Sequence, residues 1–190
     1  MNSTITDILT RSGSLKSTIA KDSSLVQAIS AGAKQLIQTV QNGGTIYTCG
    51  NGGSACDAMH FVEELVTRYK RERPGIRAMH FFDPGSVTCW SNDYSFEGVF
   101  ERYVRTFCGE KDTLVGFTTS GKSPNLLNAV KAAKEKKTFS IGLLGKGGGP
   151  MAPLCDLKII VPSEETERIQ EVHITIVHIW CELLEMELFR

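Results

Sequence analysis

The segment TIYTCGNGGSACDAMHFVEELVTRY (45–69) decides the fold. It predicts a short strand over 45–49, a glycine-rich loop over 50–54 and a helix over 55–69. The same order of strand, loop and helix recurs over 113–136. Three further strands are predicted, over 77–82, 138–144 and 157–161. Strands that alternate with helices indicate a parallel sheet covered on both faces. We therefore predict an α/β fold, a parallel five-stranded sheet in a flavodoxin-like three-layer sandwich.

Two further helices are predicted ahead of the sheet, within 4–42, where they would form a hairpin. The sequence Ser12-Gly13-Ser14 is expected to interrupt the first of these helices. Asp22-Ser23-Ser24 is expected to cap the second, since short polar side chains satisfy the first backbone N–H groups of a helix.

The closing helix, predicted over 165–189, carries apolar residues on nearly every face. Such a helix must be buried almost all round, and a monomer of 190 residues has little material to bury it. We therefore expect a homo-oligomer, with a core helix in a monomer as the alternative. The predicted domain is single and spans 1–190, with helices 1–42 used in oligomerisation and 43–190 as the α/β core.

Composition argues against several classes of protein. Apolar residues make up 41% and charged residues 22%, so disorder is not expected. Lys plus Arg equals Asp plus Glu at 21 each, which argues against a nucleic-acid partner. No apolar signal segment is visible, and charges interrupt the closing helix, so no membrane partner is predicted. Six cysteines without a C-x-x-C pair suit reduced thiols in the cytoplasm.

Two loops carry candidate anion sites. In Gly50–Ser54 the glycines let the backbone approach a ligand closely, although a tight structural turn explains them equally well. Residues 116–123 fit the P-loop pattern, but Gly116 lies inside a predicted strand and no later strand ends in an Asp for magnesium. The other interpretation is a cradle of four hydroxyls that suits one phosphate monoester, formed by Thr118, Thr119, Ser120 and Ser123.

Titratable residues form two candidate groups. His60 and Glu64 share one helix face at a spacing of four residues, which suits metal binding, acid/base chemistry or a merely solvated pair; Glu63 is expected to face solvent. Three polar residues, Gln170, His173 and His178, interrupt the apolar closing helix. A functional role and a hydrogen-bonded core histidine both remain open for them.

Five stretches stand out in combination: CGNGGSACDAMHFVEEL (49–65), RYKRERPG (68–75), SNDYSFEGVFERYV (91–104), TTSGKSPN (118–125) and ERIQEVHITIVHI (167–179). With them the chain resembles the SIS (sugar isomerase) domains, and within these the phosphoheptose isomerases. The resemblance implies an aldose–ketose isomerase that converts sedoheptulose 7-phosphate to D-glycero-D-manno-heptose 7-phosphate by an enediol-type proton transfer. This reaction is the first step of heptose biosynthesis for lipopolysaccharide or surface glycan. The resemblance also implies a homotetramer with active sites near subunit interfaces.

The resemblance assigns roles to individual residues. It implies an acid/base pair of Glu64 and His178. It implies one Zn²⁺ per subunit on His60, Glu64, Gln170 and His178. It implies substrate contacts from two loops and two helices: Asn51, Gly52, Gly53, Ser54, Asn92, Asp93, Thr118, Thr119, Ser120, Ser123 and Gln170. Gln170 and His178 are eight residues apart, so they lie ~12 Å apart along a helix. Both can bind one ion only if their side chains lean toward each other, or if one of them acts through water or in another subunit.

The sequence departs from the family pattern at three places: Ala55, Thr118 and Glu167 stand where His, Ser and Asp are common. The last two could alter the fit of the substrate. The alternative function is that of a sibling SIS protein that binds a replication initiator without catalysis. That branch lacks the glutamate on the helix after the first loop, so Glu64 favours the enzyme.

Overall fold

The computed structural model describes residues 1–189, and within them five strands form one parallel sheet. The strands are β1 (Ile46–Gly50), β2 (Ala78–His80), β3 (Thr113–Phe117), β4 (Phe139–Leu144) and β5 (Leu157–Ile160). The α-helices are α1 (Asn2–Lys21), α2 (Ser23–Gln41), α3 (Gly53–Val66), α4 (Pro84–Asp93), α5 (Val99–Phe107), α6 (Pro124–Glu135) and α7 (Thr166–Leu188). Short 3₁₀ segments occupy Phe96–Gly98 and Lys146–Met151. The predicted α/β class and all-parallel five-stranded sheet are confirmed.

The strand order is β2-β1-β3-β4-β5, which is the flavodoxin-like order. The chain moves outward from β1 to one edge, then returns to β3 and proceeds to the other edge. β1 and β3 are therefore neighbours whose following loops run to opposite faces of the sheet. In open parallel sheets the crevice at such a reversal is where ligands bind.

Alternation along the buried strands divides the core into two layers. On one face Ile46, Val115 and Ile141 pack with the apolar sides of α1, α2, α3 and α7. On the other face Tyr47 and Leu114 pack with α4, α5 and α6. Successive side chains of a strand point to opposite faces, so a strand buried on both faces is predominantly apolar along its length.

The N-terminal hairpin differs from its prediction in one respect. α1 continues unbroken through Ser12-Gly13-Ser14. One glycine costs a helix only about 1 kcal/mol, and contacts beyond the helix outweigh that cost here. The Ser12 hydroxyl donates to Glu171 on α7 at 2.7 Å. The predicted cap is confirmed, since the Asp22 carboxylate accepts the N–H groups of Ser24 and Leu25.

α7 is buried largely within its own chain. Trp180, which is fully buried, packs on Gly32 of α2 and donates its indole N–H to the Ile29 carbonyl at 2.8 Å. Ile179 and Met186 remain exposed, at 40% and 51% of their surface. The apolar pattern of α7 therefore does not by itself require an assembly. Among residues 1–189 no helix has both the length and the apolar content to cross a membrane.

All six cysteines are free thiols, but they are not uniformly buried. Cys49, Cys108 and Cys181 lie in the core, where burial raises the pKa of each thiol. Cys56 and Cys89 are exposed on their helices. The expected free thiols are present, and the three buried ones act as small apolar groups.

Candidate active site

A polar cavity of about 190 Å³ opens where β1 and β3 end. Its walls are Asn51, Ser54, Phe117, Thr118, Thr119, Ser120, Ser123, Thr166 and Gln170, and we call it the hydroxyl pocket. It thus unites the first-loop residues Asn51 and Ser54 with all four hydroxyls predicted to form the phosphate cradle. No side chain in its lining carries a charge. Hydroxyl donors beside helix N-termini suit an anion that can accept several hydrogen bonds.

The first loop needs its glycines for two different reasons. Gly52 is the N-cap residue before α3, with φ 56° and ψ −126°, a conformation that disfavours any side chain. At Gly53 a Cβ would lie 2.6 Å from Nε2 of Gln170, so a side chain there would displace the amide. The two glycines therefore allow α7 to approach the start of α3 and close one wall of the hydroxyl pocket.

The second loop is a turn held by its own hydroxyls. Thr118 Oγ1 accepts the N–H groups of Ser120 and Gly121, at 3.4 and 3.2 Å. Ser123 is the N-cap residue of α6 but makes no capping bond with its side chain, so its hydroxyl remains available to a ligand. Gly116 lies inside β3, as expected, which argues against a P-loop. The geometry of the loop is thus compatible with the predicted anion cradle, which stays a prediction.

Asn125 ties the two loops together and was not singled out from the sequence. Its side-chain amide and that of Asn51 each donate to the other at 2.9 Å. Asn125 is almost fully buried, at 2% exposure. The sequence contains a signal that could have identified Asn125, because this polar residue in the first turn of α6 lies within one of the stretches that carry the family resemblance.

Three titratable residues meet between α3 and α7, and we call them the His–Glu–His cluster. Ligand atoms of His60, Glu64 and His178 all lie within 4.8 Å of one another. His60 Nε2 is 3.2 Å from Glu64 Oε1, and the two imidazole rings are 5.2 Å apart. Two imidazoles and a carboxylate are a donor set that suits zinc with one position left open. The residues present therefore fit the implied ion.

Tyr69 contacts the cluster and was not predicted from the sequence. Its ring stacks on His178 with centroids 5.8 Å apart. Glu64 has a side chain that is only 15% exposed, whereas that of His60 is 43% exposed. Glu63 faces solvent, as predicted. A shielded carboxylate beside two imidazoles can exchange protons with a bound ligand.

Other predicted site residues lie elsewhere in the chain. Gln170 faces the hydroxyl pocket beside Gly53, so its place in the metal set stays a prediction. Asn92 and Asp93 are exposed at the end of α4, where Asn92 donates to Asp93 at 2.9 Å. They do not line the pocket of their own chain, because α4 follows the edge strand β2 rather than β1 or β3. Their substrate contacts also stay a prediction.

His173 takes the structural role that the sequence left open. It is fully buried, and its Nε2–H donates to the Leu144 carbonyl at 3.2 Å. Burial lowers the pKa of His173 to about 4, although the hydrogen bond to Leu144 opposes this, so the ring is neutral in the core.

Comparison with known proteins decides the family. A family model described as SIS domain matches residues 13–145. The phosphoheptose isomerase of Helicobacter hepaticus is 47% identical over 164 residues, which are 86% of this chain and 84% of that protein. That of Vibrio cholerae is 44% identical over 181 residues, 95% of each chain. The chain belongs to the phosphoheptose isomerase family of SIS-domain proteins.

Solved structures agree with this membership. A phosphoheptose isomerase from Francisella tularensis superposes with a TM-score of 0.93 at 33% identity, covering 97% of this chain and 98% of that one. Phosphoheptose isomerase GmhA from Neisseria gonorrhoeae gives 0.91 at 35% identity with the same coverage. The family resemblance predicted from the five stretches is confirmed, and the non-catalytic alternative is not favoured.

This family member also contains a buried carboxyl oxygen near the cluster, on Asp57, which was not predicted from the sequence as a site residue. Oδ2 of Asp57 is buried without a hydrogen-bond partner among residues 1–189. Burial raises the pKa of Asp57 to about 6, against a smaller opposing effect from His60. Asp57 precedes His60 by three residues, so the two share one face of α3. This spacing is the signal in the sequence that could have identified Asp57.

Proposed function

We propose that the chain isomerises sedoheptulose 7-phosphate to D-glycero-D-manno-heptose 7-phosphate. The observation that carries this proposal is that the hydroxyl pocket and the His–Glu–His cluster share two helices. On α3, Ser54 and His60 are separated by six residues, or ~9 Å of helix. On α7, Gln170 and His178 are separated by ~12 Å. An extended sugar of seven carbons with a terminal phosphate ester can reach between two such positions.

The reaction requires a proton to move between two adjacent carbons and another between their oxygens. We assign the carbon proton to the Glu64 carboxylate, which removes it from C1 of the ketose and returns it to C2. We assign the oxygen proton to His178, since imidazole gives or accepts a proton near neutral pH. A zinc ion held by the cluster would polarise the substrate oxygens. The hydroxyl pocket holds the phosphate and so fixes which carbons face Glu64.

The direct test is to incubate the purified protein with sedoheptulose 7-phosphate and follow formation of the aldose. We expect turnover with the phosphorylated ketose and very little with sedoheptulose itself, because the unphosphorylated sugar cannot occupy the hydroxyl pocket as an anion. Failure of the protein to form the aldose heptose phosphate under any metal loading would overturn the proposal.

Removing two hydroxyls should weaken phosphate binding. We expect Ser120→Ala combined with Ser123→Ala to raise the KM for sedoheptulose 7-phosphate by about two orders of magnitude, the worth of two charge-assisted hydrogen bonds. Competition by unphosphorylated sedoheptulose provides the control, because its weak affinity should not change. A double variant with the parent's kcat/KM contradicts the phosphate assignment.

We propose that the purified protein carries one divalent ion per chain, with zinc preferred by the donor set. His60→Ala should lower metal occupancy markedly, as measured by elemental analysis after dialysis. The matched control is His80→Ala, which removes an imidazole outside the cluster. If active wild-type enzyme contains no metal, the cluster serves acid/base chemistry alone.

We propose a homo-oligomer, with a tetramer as the specific expectation, and a cytoplasmic location. The structural support for an oligomer comes from α1. Its Ile5, Ile8 and Leu9 lie on one stripe of the helix and are exposed at 50%, 38% and 67% of their surface. Sedimentation should give a species well above 20.9 kDa. Leu9→Glu should shift this species toward the monomer, and a monomeric wild type at micromolar concentration contradicts the proposal.

A further inference from the structure

Lys146 has an unusual backbone conformation. It lies between the phosphate cradle and the start of α7, which are the two parts of the proposed phosphate site. Its backbone has φ 48°, which is rare for a residue with a side chain. Its ammonium donates to Thr166 Oγ1 at 3.0 Å. Thr166 is the first residue of α7 and lines the hydroxyl pocket. Strain of this kind persists where the surrounding structure fixes it, and it often marks a functional position.

The loop that carries Lys146 is fixed from both sides. At Gly145 a Cβ would lie 2.4 Å from Ile169, so the loop packs directly on the first turn of α7. At Gly121 a Cβ would lie 2.0 Å from the Gly148 carbonyl, so the same loop packs on the phosphate cradle. The N–H of Met151 also donates to the Gly121 carbonyl at 3.2 Å. The loop thus links the cradle to α7 with Lys146 between them.

The hydrogen-bond direction at Thr166 follows from the chemistry of its partner. An ammonium group only donates, so the Thr166 oxygen must accept from Lys146. The single hydrogen of the Thr166 hydroxyl is then free to donate to a ligand in the hydroxyl pocket. Glu165, the neighbouring carboxylate, is already paired with Arg11. The hydrogen bond to Thr166 places the Lys146 ammonium beside the pocket.

We propose that Thr166 is a further phosphate-binding residue and that Lys146 is its positioning residue. This inference rests on the proposed function, because it takes the hydroxyl pocket as the site of the substrate phosphate. A phosphate monoester carries close to two negative charges at neutral pH, whereas the pocket lining carries none. Lys146 supplies the missing charge one side chain away from the pocket. It also orients the Thr166 hydroxyl, and the start of α7 adds its positive end.

The test measures binding of inorganic phosphate and steady-state kinetics for four variants. Lys146→Gln and Thr166→Val should each raise the Kd for phosphate and the KM for sedoheptulose 7-phosphate about tenfold. Their kcat should stay within about twofold of wild type, because neither residue touches the reacting carbons. Lys146→Arg should restore most of the affinity. Lys131→Gln, which removes an exposed lysine from α6, is the control for net charge.

A double variant distinguishes positioning from simple charge. Because Lys146 acts partly through Thr166, Lys146→Gln combined with Thr166→Val should lose less affinity than the sum of the two single losses. Parent-like phosphate affinity in Lys146→Gln overturns the inference. So does an equal loss in Lys131→Gln, which would indicate net charge alone.

Phosphate binding separates this inference from the proposed function. A wild type that isomerises the substrate, with a Lys146→Gln variant that binds phosphate normally, rejects the inference and leaves the function standing. A wild type that binds phosphate in a Lys146-dependent way but does not isomerise the sugar rejects the function and supports the inference.

Discussion

Glu64→Gln should lower kcat by roughly two to four orders of magnitude, the usual contribution of a general base. The substitution keeps the shape of the side chain but removes the group that accepts the carbon proton. The hydroxyl pocket is unchanged, so substrate affinity should change far less than kcat. Glu63→Gln is the matched control, because Glu63 lies on the same helix but faces solvent, where it accepts the Thr67 hydroxyl at 3.1 Å.

Isotope exchange makes this expectation specific. In deuterated water the wild type should incorporate deuterium at the carbon that exchanges its proton, and Glu64→Gln should lose exchange in parallel with turnover. Metal content must be measured on the same preparation, because Glu64 lies in the His–Glu–His cluster and its replacement can also release the ion. Near-native turnover and exchange in Glu64→Gln would assign the base to His178 or to another group.

Loss of turnover has two separable causes at this position. If Glu64→Gln retains the wild-type metal content and is inactive, the carboxylate itself is required for proton transfer. If metal and turnover are lost together and added zinc restores both, the contribution of Glu64 is ligation. A carboxylate bound to a metal is a weaker base, so these outcomes also decide whether one side chain can serve both roles.

The fold could be predicted where the sequence pattern was strong. The buried strands are largely apolar runs, and glycine-rich loops follow β1 and β3, so the sheet and the hydroxyl pocket could both be predicted. The predicted interruption at Ser12-Gly13-Ser14 is wrong, because local propensity is weak and contact with α7 overrides it. The extent to which the chain itself covers α7 could not be predicted either, since periodicity does not reveal how much of a helix its own chain buries.

The residues of the site also divide into those that could be predicted from the sequence and those that could not. Residues joined by helix spacing, such as His60 and Glu64, could be paired from the sequence. Thr166 could not, because it reaches the pocket only through the packing of α7 on the first loop. Lys146 depends on a left-handed backbone conformation that no residue pattern around it specifies. Contacts between elements distant in sequence are thus what the structure adds.

The position of the cluster depends on a buried ion pair behind it. Arg73 and Glu185 lie 3.0 Å apart with side chains only 1% and 3% exposed. Glu185, on α7, also accepts backbone N–H groups of Tyr69, Lys70 and Arg71. Arg73 donates to the carbonyls of Leu65 and Glu64, at 2.8 and 2.7 Å. The pair therefore joins the end of α3, which carries Glu64, to the helix that carries His178.

Glu185→Ala should lower the free energy of unfolding by about 3–5 kcal/mol, the cost of leaving a buried partner charge uncompensated. The matched control is Glu182→Ala, three residues earlier on α7, which removes the exposed partner of Lys70. That pair should contribute at most about 1 kcal/mol, because solvent screens it. Chemical denaturation of the three proteins side by side measures both differences. A Glu185→Ala variant as stable as Glu182→Ala contradicts the role of the buried pair.

The same pair predicts how stability depends on pH. Burial alone would raise the pKa of Glu185, but hydrogen bonds from the backbone of Lys70 and Arg71, together with Arg73, outweigh it. Its pKa therefore lies below the ordinary value of 4.5. A carboxyl with a lowered pKa stabilises the fold above its unfolded value, and this contribution is lost as the pH falls through the folded one. The stability difference between wild type and Glu185→Gln should accordingly be constant near neutral pH and shrink in acid. A difference that grows as the pH falls would show that the folded protein holds Glu185 protonated.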